Sequence, residues 1–209
     1  MRECVRLSKI ISSKDCYLDT NVPYRQNEKY RIRLVGSGKE VIEIVGPNGS
    51  GKTTLLRNLW RFSHHPLKRI LYRKEKVPSI LFVPVDPIYQ VLGPTVRDEI
   101  DRALLEKGGK EEAILIDYIT SLAGVAAESD VLTLSFGQRK ILALIIATLS
   151  PYPVLAFDEP FAGLDKKNYA IAQKIINAAA QCGKLVMVTG QEKTIEGITK
   201  DVNLEGPFK

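Results

Sequence analysis

The sequence is poor in cysteine and histidine and has no long apolar run. Its cysteines, Cys4, Cys16 and Cys182, are scattered and odd in number, and no Cys-x-x-Cys pair occurs. That argues against a disulfide framework or a zinc site and fits a reducing compartment. The only histidines, His64 and His65, are adjacent and read as surface residues. The longest apolar stretch, Ile141 to Leu149, is broken only by Thr148 and falls far short of the ~20 residues of a membrane helix. Met1-Arg2-Glu3 leads into an alternating segment, not into an apolar core ending in small residues, so no signal peptide is expected. In a membrane process, other chains would have to supply the pore.

What is present suits a globular domain. The chain has 209 residues, 44% hydrophobic and 26% charged, enough to bury most of its unfolded surface without a covalent staple. The net charge is +6, but the positive residues are spread along the chain. Their densest cluster, Lys68-Arg69 with Arg73-Lys74 and Lys76, reads as a solvated face before it reads as a site for an anionic partner. No nucleic-acid partner is expected.

Glu3 to Ile11 and Tyr30 to Val35 alternate polar and apolar residues, as half-buried strands do. Gly36-Ser37-Gly38 reads as a turn. Val41 to Val45 is a strand running into Gly46, with a helix expected from Gly51 to about Phe62. Ser79 to Val83 is a short strand ended by Pro84 and Pro87. Thr95 to Gly124 is helical in pattern, broken at Gly108-Gly109, and a further helix begins at Ser135 and ends near Leu149. Val154 to Phe157 is a buried strand, Lys166 to Cys182 a helix, and Lys184 to Thr189 the last clear strand. In the Lys166 helix, Ala172, Ile175, Ile176 and Ala179 share one face. Strands alternating with helices predict an α/β core with a mostly parallel sheet. The helical stretch from about Thr95 to Leu149 interrupts that alternation and reads as an inserted subdomain.

Gly46-Pro47-Asn48-Gly49-Ser50-Gly51-Lys52-Thr53 fits the P-loop pattern in full, between a strand and a helix. Its glycines let successive N–H groups face phosphates, and the helix N-terminus adds positive potential there. Lys52 can reach the β- and γ-phosphates and the Thr53 hydroxyl can ligate Mg²⁺. Thr54 follows in the same binding set. The alternative, a glycine-rich turn with an accidental Gly-Lys-Thr, leaves the flanking strand and helix unexplained. Val154 to Phe157 then delivers Asp158 and Glu159 to the end of a strand, where α/β sheets bind ligands. Asp158 would hold the Mg²⁺ through water, and Glu159 would polarise the attacking water. Two acids after a strand are common; about a hundred residues after a P-loop they form a pattern.

Leu134-Ser135-Phe136-Gly137-Gln138, with the P-loop, Asp158-Glu159-Pro160 and Ala162-Gly163-Leu164-Asp165, resembles the ABC ATPases in order and spacing over most of the chain. The resemblance implies a P-loop core with an N-terminal antiparallel strand layer, in which residues 1–84 and 151–209 form the ATP-binding core and 85–150 the helical subdomain. It implies that Ser135 and the Gly137 N–H, with Gln138 beside them, face the γ-phosphate held by another subunit. A serine that merely caps a core helix is the plainer reading of Ser135, and both can hold. Asp165 likewise belongs to the D-loop that joins two sites and is a natural N-cap for the Lys166 helix. Asp86 to Val96 is similar to the ATPases of energy-coupling-factor and cobalt/nickel importers, where this region docks the membrane subunit. The adenine is expected to stack on an upstream aromatic. Tyr17 and Tyr24 are both candidates, and core packing reads either equally well.

The family's signature, Leu-Ser-Gly-Gly-Gln, here has Phe136 at its third place, and two further positions depart from the resemblance. The family's glutamine after the strand near Val83 is here Val85, and its histidine after the last core strand is here Gly190. Neither residue can make the missing hydrogen bonds. The nucleotide-binding half is intact and the catalytic half is thinned. The expectation is an ATP-Mg²⁺-binding ABC transporter subunit, in a homodimer or heterodimer, cytoplasmic and held at the inner membrane face by a membrane partner. A catalytically weakened, ATP-gated module supporting a complete partner ATPase is the alternative. A DNA-repair or ribosomal relative would need insertions or a second cassette that 209 residues do not hold.

Overall fold

The computed structural model describes residues 17–23, 31–64, 78–87, 93–105, 112–192, 195 and 200–204. The expected strand from Glu3 to Ile11, the Lys68–Lys76 cluster, Gly108-Gly109 and residues 88–92 lie outside the described residues, as do Cys4, Cys16, Tyr24 and His65.

The described chain is α/β, as expected. Its strands are β1 Tyr17–Pro23, β2 Arg31–Ser37, β3 Val41–Val45, β4 Ile80–Val83, β5 Val154–Phe157, β6 Leu185–Gly190 and β7 Lys200–Asn203. Its helices are α1 Lys52–His64, α2 Val96–Leu105, α3 Glu112–Ala123, α4 Phe136–Leu149 and α5 Lys166–Gln181. β1 and β2 pair antiparallel. The other five strands form a parallel sheet in the order β4-β5-β6-β3-β7.

The central strands are mostly apolar because both of their faces are covered, with Glu43 and Thr189 as buried polar exceptions. Alternate residues feed two cores. Leu155, Phe157, Val186 and Val188 face a core shared with α2, α3, α4 and α5. Ile42, Ile44, Val154, Ala156, Leu185 and Met187 face a second core with Leu18, Leu34 and the α1 residues Leu55, Leu56 and Leu59. Each of those three leucines is fully buried, a contribution of about 1.5–3 kcal/mol apiece. Lys184 ties the end of α4 to β6 by donating to Ser150 O (2.8 Å) and Tyr152 O (2.6 Å).

Three local expectations change. Gly36 is not in a turn: β2 continues through Ser37, pairing with Tyr17, and the turn falls at Gly38-Lys39. A Cβ at Gly36 would lie 2.9 Å from both Ile42 Cδ1 and Leu185 Cδ1, so glycine there permits close packing of the two sheets. β6 is not the last strand. β7 follows it and pairs with β3, but three of its four residues are polar and exposed, as suits a sheet edge, and Val202 alone leaves no apolar pattern. Finally, α1 runs on to His64, which is exposed and whose Nδ1 lies 2.9 Å from Trp60 O.

Candidate nucleotide site

β3, β5 and β6 run parallel, so Val45, Phe157 and Gly190 finish at the same edge of the sheet. The chain leaving β3 forms the loop Gly46 to Gly51 and turns directly into α1. Gly49 (φ 80°) and Gly51 (φ 101°) adopt backbone conformations that cost little only without a Cβ. The Ser50 N–H closes the loop onto Pro47 O (3.1 Å), and the Gly46 N–H binds Gly190 O (3.3 Å). Pro47, Asn48 and Gly49 are exposed at the rim, while Ser50 is fully buried with no partner for its hydroxyl. Thr54 is half-buried in the first turn of α1.

Lys52 is 5% exposed, and its charge is partnered within the fold. Its Nζ donates to Gly46 O (2.8 Å) and Pro47 O (3.1 Å) and lies 4.0 Å from Glu159 Oε1. The loop curls around the ammonium it presents, because an unpaired buried charge would be costly.

Asp158 is also buried. The hydroxyls of Thr53 (3.1 Å) and Thr189 (2.8 Å) both donate to its Oδ1. Thr189 Oγ1 in turn accepts the Glu159 N–H (2.8 Å). Glu159 has φ 45°, left-handed for a residue with a Cβ, at a cost of roughly 1–3 kcal/mol. Its carbonyl accepts from Lys140 Nζ at 2.8 Å, as does that of Ala162. Burial pushes the Lys140 ammonium down to about 8, against the opposing pull of Glu159, Asp158 and Asp86.

The Thr53 hydroxyl and the Asp158 carboxylate form an oxygen donor set that fits Mg²⁺. Among the described residues no group of three or more His, Cys, Asp or Glu could hold a metal. A cation here would therefore complete its shell with nucleotide oxygens and water.

The signature residues form a separate group. Ser135 caps α4: its Oγ accepts the Gln138 N–H (3.3 Å), and Gln138 Oε1 accepts the Ser135 N–H (3.0 Å). Gln138 Nε2 also donates to Gly124 O (2.8 Å). Gly137 lies in the first helical turn, where N–H groups have no intrahelical carbonyl. It packs beside Asn168, which Asp165 caps at 2.8 Å. Thus Lys52, Thr53, Asp158 and Glu159 come together, while the side chains of Ser135 and Gln138 bond within the capping box and to Gly124. Val85 is half-buried after β4, and Gly190 meets the P-loop through its backbone. Tyr17 lies in β1, and Tyr24 is outside the described residues.

Sequence reasoning missed Lys140 and Thr189. Thr189 ends the same run of β6 residues that marked the strand, and its hydroxyl among apolar neighbours was the available signal. Lys140 is the charge that borders the apolar run Ile141 to Ala147 of its helix, which is a weaker signal of the same kind.

A parallel sheet ending in a glycine loop, a buried lysine and a threonine–aspartate pair defines a P-loop nucleotide-binding α/β protein. The chain belongs to the ABC transporter family, which it matches over residues 32–162. It is 33% identical over 168 residues to a putative ABC transporter ATP-binding protein of Pyrococcus furiosus, covering 73% of this chain and 61% of that relative. It is also 33% identical over 178 residues to the biotin transport ATP-binding protein BioM of Rhodobacter capsulatus, covering 79% of this chain and 75% of BioM. The chain thus spans about three-fifths of the Pyrococcus relative's length. The fold matches cbiO1 of Clostridium perfringens, part of the ABC transporter complex cbiONQ. The TM-score is 0.62 at 22% identity, covering 86% of this chain and 80% of cbiO1. As a family member, the chain carries an ATP-binding domain.

Proposed function

We propose that this chain binds ATP-Mg²⁺ on its P-loop, hydrolyses it, and powers a separate membrane subunit through ATP-driven dimerisation. The observation that carries this reading is the convergence of Lys52, Thr53, Asp158 and Glu159 at one edge of the sheet. Residues 1–84 and 151–209 are the ATP-binding core and 85–150 the helical subdomain. Gly46 to Gly51 and the start of α1 hold the phosphates, with Lys52 turning from its loop carbonyls to the β- and γ-oxygens and Thr54 in the same helix turn. Mg²⁺ bound with the nucleotide would offset phosphate charge, with Thr53 and Asp158 as its protein contacts. Glu159 orients and polarises the attacking water. Ser135, Gly137 and Gln138 serve the nucleotide of a second ABC subunit, in a homodimer or heterodimer, because a helix N-terminus favours an anion. The membrane partner would hold the chain at the cytoplasmic face. The likeness to BioM and cbiO1, with Asp86 to Val96, supports an importer of the energy-coupling or cobalt/nickel type.

A second reading rests on Val85 and Gly190, which offer no side-chain hydrogen bond to water or γ-phosphate. In it, the chain hydrolyses slowly and supports a complete partner. Steady-state ATPase of the pure protein separates the two, since loss of a placed catalytic group costs ~10²-fold or more. In a heterodimer with a complete ATPase, Ser135→Arg would then cut turnover far more than Glu159→Gln. The arginine blocks the partner's γ-phosphate seat, while the glutamine disables a slow site. The opposite order contradicts the weakened-module reading. A Glu159→Gln protein with unchanged turnover, alone and in the heterodimer, and no gain in mass on adding ATP-Mg²⁺ contradicts both.

A further inference from the structure

Glu159 depends for its position on two neighbours that approach from different elements. Its φ of 45° places it in the left-handed region, which a side chain with a Cβ leaves unless something holds it. Its N–H is held by Thr189 at the end of β6 (2.8 Å). Its carbonyl is held by Lys140 from the second turn of α4 (2.8 Å). Lys140 also holds Ala162 O at 2.8 Å, and the Ala162 N–H closes back on Glu159 O (3.2 Å), so one ammonium clamps both ends of the turn 159–162. The lysine is 3% exposed, and the Phe136 ring lies over its Nζ at 4.9 Å to the centroid. Phe136 in turn lies against Gly163, where a Cβ would come within 3.0 Å of its Cε1. The phenylalanine at the third signature position therefore covers the clamp and touches the D-loop beside it.

We propose that Lys140 is a positioning residue for Glu159: by clamping the Glu159 and Ala162 carbonyls from the signature helix it fixes the backbone that aims the carboxylate. The proposal rests on the reading of Glu159 as the group that polarises water. When φ rotates out of the left-handed region, the Cα–Cβ bond swings with it, and the carboxylate leaves its place 4.0 Å from Lys52. Because Ser135 caps the helix that carries Lys140, the clamp also links the signature end of α4 to the acid of the same chain.

Single-turnover hydrolysis of labelled ATP, with the full chain in excess, tests this in the parent, Lys140→Met, Lys140→Arg and Glu159→Gln. Binding of a fluorescent ATP analogue is measured alongside. Methionine keeps the unbranched stem and loses the donors; arginine keeps donors. The expected result for Lys140→Met is a hydrolysis rate reduced roughly 10- to 100-fold with ATP affinity within about twofold of the parent. Arginine is expected to recover most of that rate. Should Lys140→Met fail to fold, Lys140→Gln, which retains an amide donor, takes its place with the order parent, arginine, glutamine. Parent-like hydrolysis in the methionine or glutamine variant while Glu159→Gln is inactive would overturn the proposal and leave the Glu159 reading intact. Equal losses of affinity and rate would also overturn it, since they mark a merely structural role. Hydrolysis by Glu159→Gln at the parent rate, or none by the parent, would remove the Glu159 reading and the proposal with it.

Discussion

The P-loop half and the signature half of this chain handle their polar groups in opposite ways. Around the P-loop, Lys52 and Asp158 are buried and engaged with Gly46, Pro47, Thr53 and Thr189. At the signature, Ser135 is exposed and Gln138 half-buried, and the two satisfy one another in a capping box at a helix end. The first half is preformed and inward-looking, with its charges balanced inside the fold. The second is self-sufficient as a helix cap and reaches the acid of the first half through Lys140. A buried polar network is costly to disturb, whereas an exposed cap is cheap to alter. The two halves therefore respond to mutation on different scales.

Asp158→Asn is expected to have the largest effect. Losing the carboxylate charge should cost on the order of 1.5–3 kcal/mol of ATP-Mg²⁺ affinity, roughly 10- to 100-fold. Removing Mg²⁺ with a chelator should then weaken ATP binding in the parent but barely in the variant, which calorimetry with and without chelator checks. Thr189→Val comes next. It removes the buried donor to Asp158 and the partly buried acceptor of the Glu159 N–H, and should cost about 1–3 kcal/mol of stability. Thr189→Ser, keeping the hydroxyl, should lose less, and urea melts of both would show whether the network is as tight as its geometry. On the signature side, Ser135→Ala should cost about 0.5–2 kcal/mol, the usual worth of an N-cap, with ATP affinity of the isolated chain unchanged. A loss of affinity in that variant would break the contrast between the halves.

The smallest expected effect is on pH dependence, and it concerns Lys140, which joins the halves. Its value falls from 10.5 to about 8 on folding, because burial disfavours the charged form. Below about 8 the full cost of burying the ammonium is present. Between there and 10.5 the unfolded chain binds the extra proton, so stability rises with pH. Denaturant melts at about pH 7 and about pH 10 should show the parent gaining on Lys140→Met as pH rises.

The legible parts of the sequence were those whose chemistry is local in the chain. Glycine spacing in the P-loop, an apolar strand before two acids, and Ser135 or Asp165 before a helix each announce themselves within a few residues. Lys140 and Thr189 did not, because their partners lie 19 and 31 residues away and only folding brings them together. β7 escaped because an edge strand needs polar residues, which erase the alternation used to find strands. Gly36 was misread because a glycine needed for close packing looks the same in sequence as one needed for a turn. The partnering of Lys52 by its own loop was invisible for a related reason: the carbonyls that hold it carry no sequence information.

The account's central claim is that the P-loop half binds nucleotide by itself and the signature half adds nothing to it within one chain. Titration of a fluorescent ATP analogue into dilute parent, Lys52→Ala and Ser135→Arg proteins tests this directly. The account predicts that Lys52→Ala loses ATP affinity by roughly 10- to 100-fold, while Ser135→Arg binds as the parent does. Parent-like affinity in Lys52→Ala, or an equal loss in both variants, would contradict it.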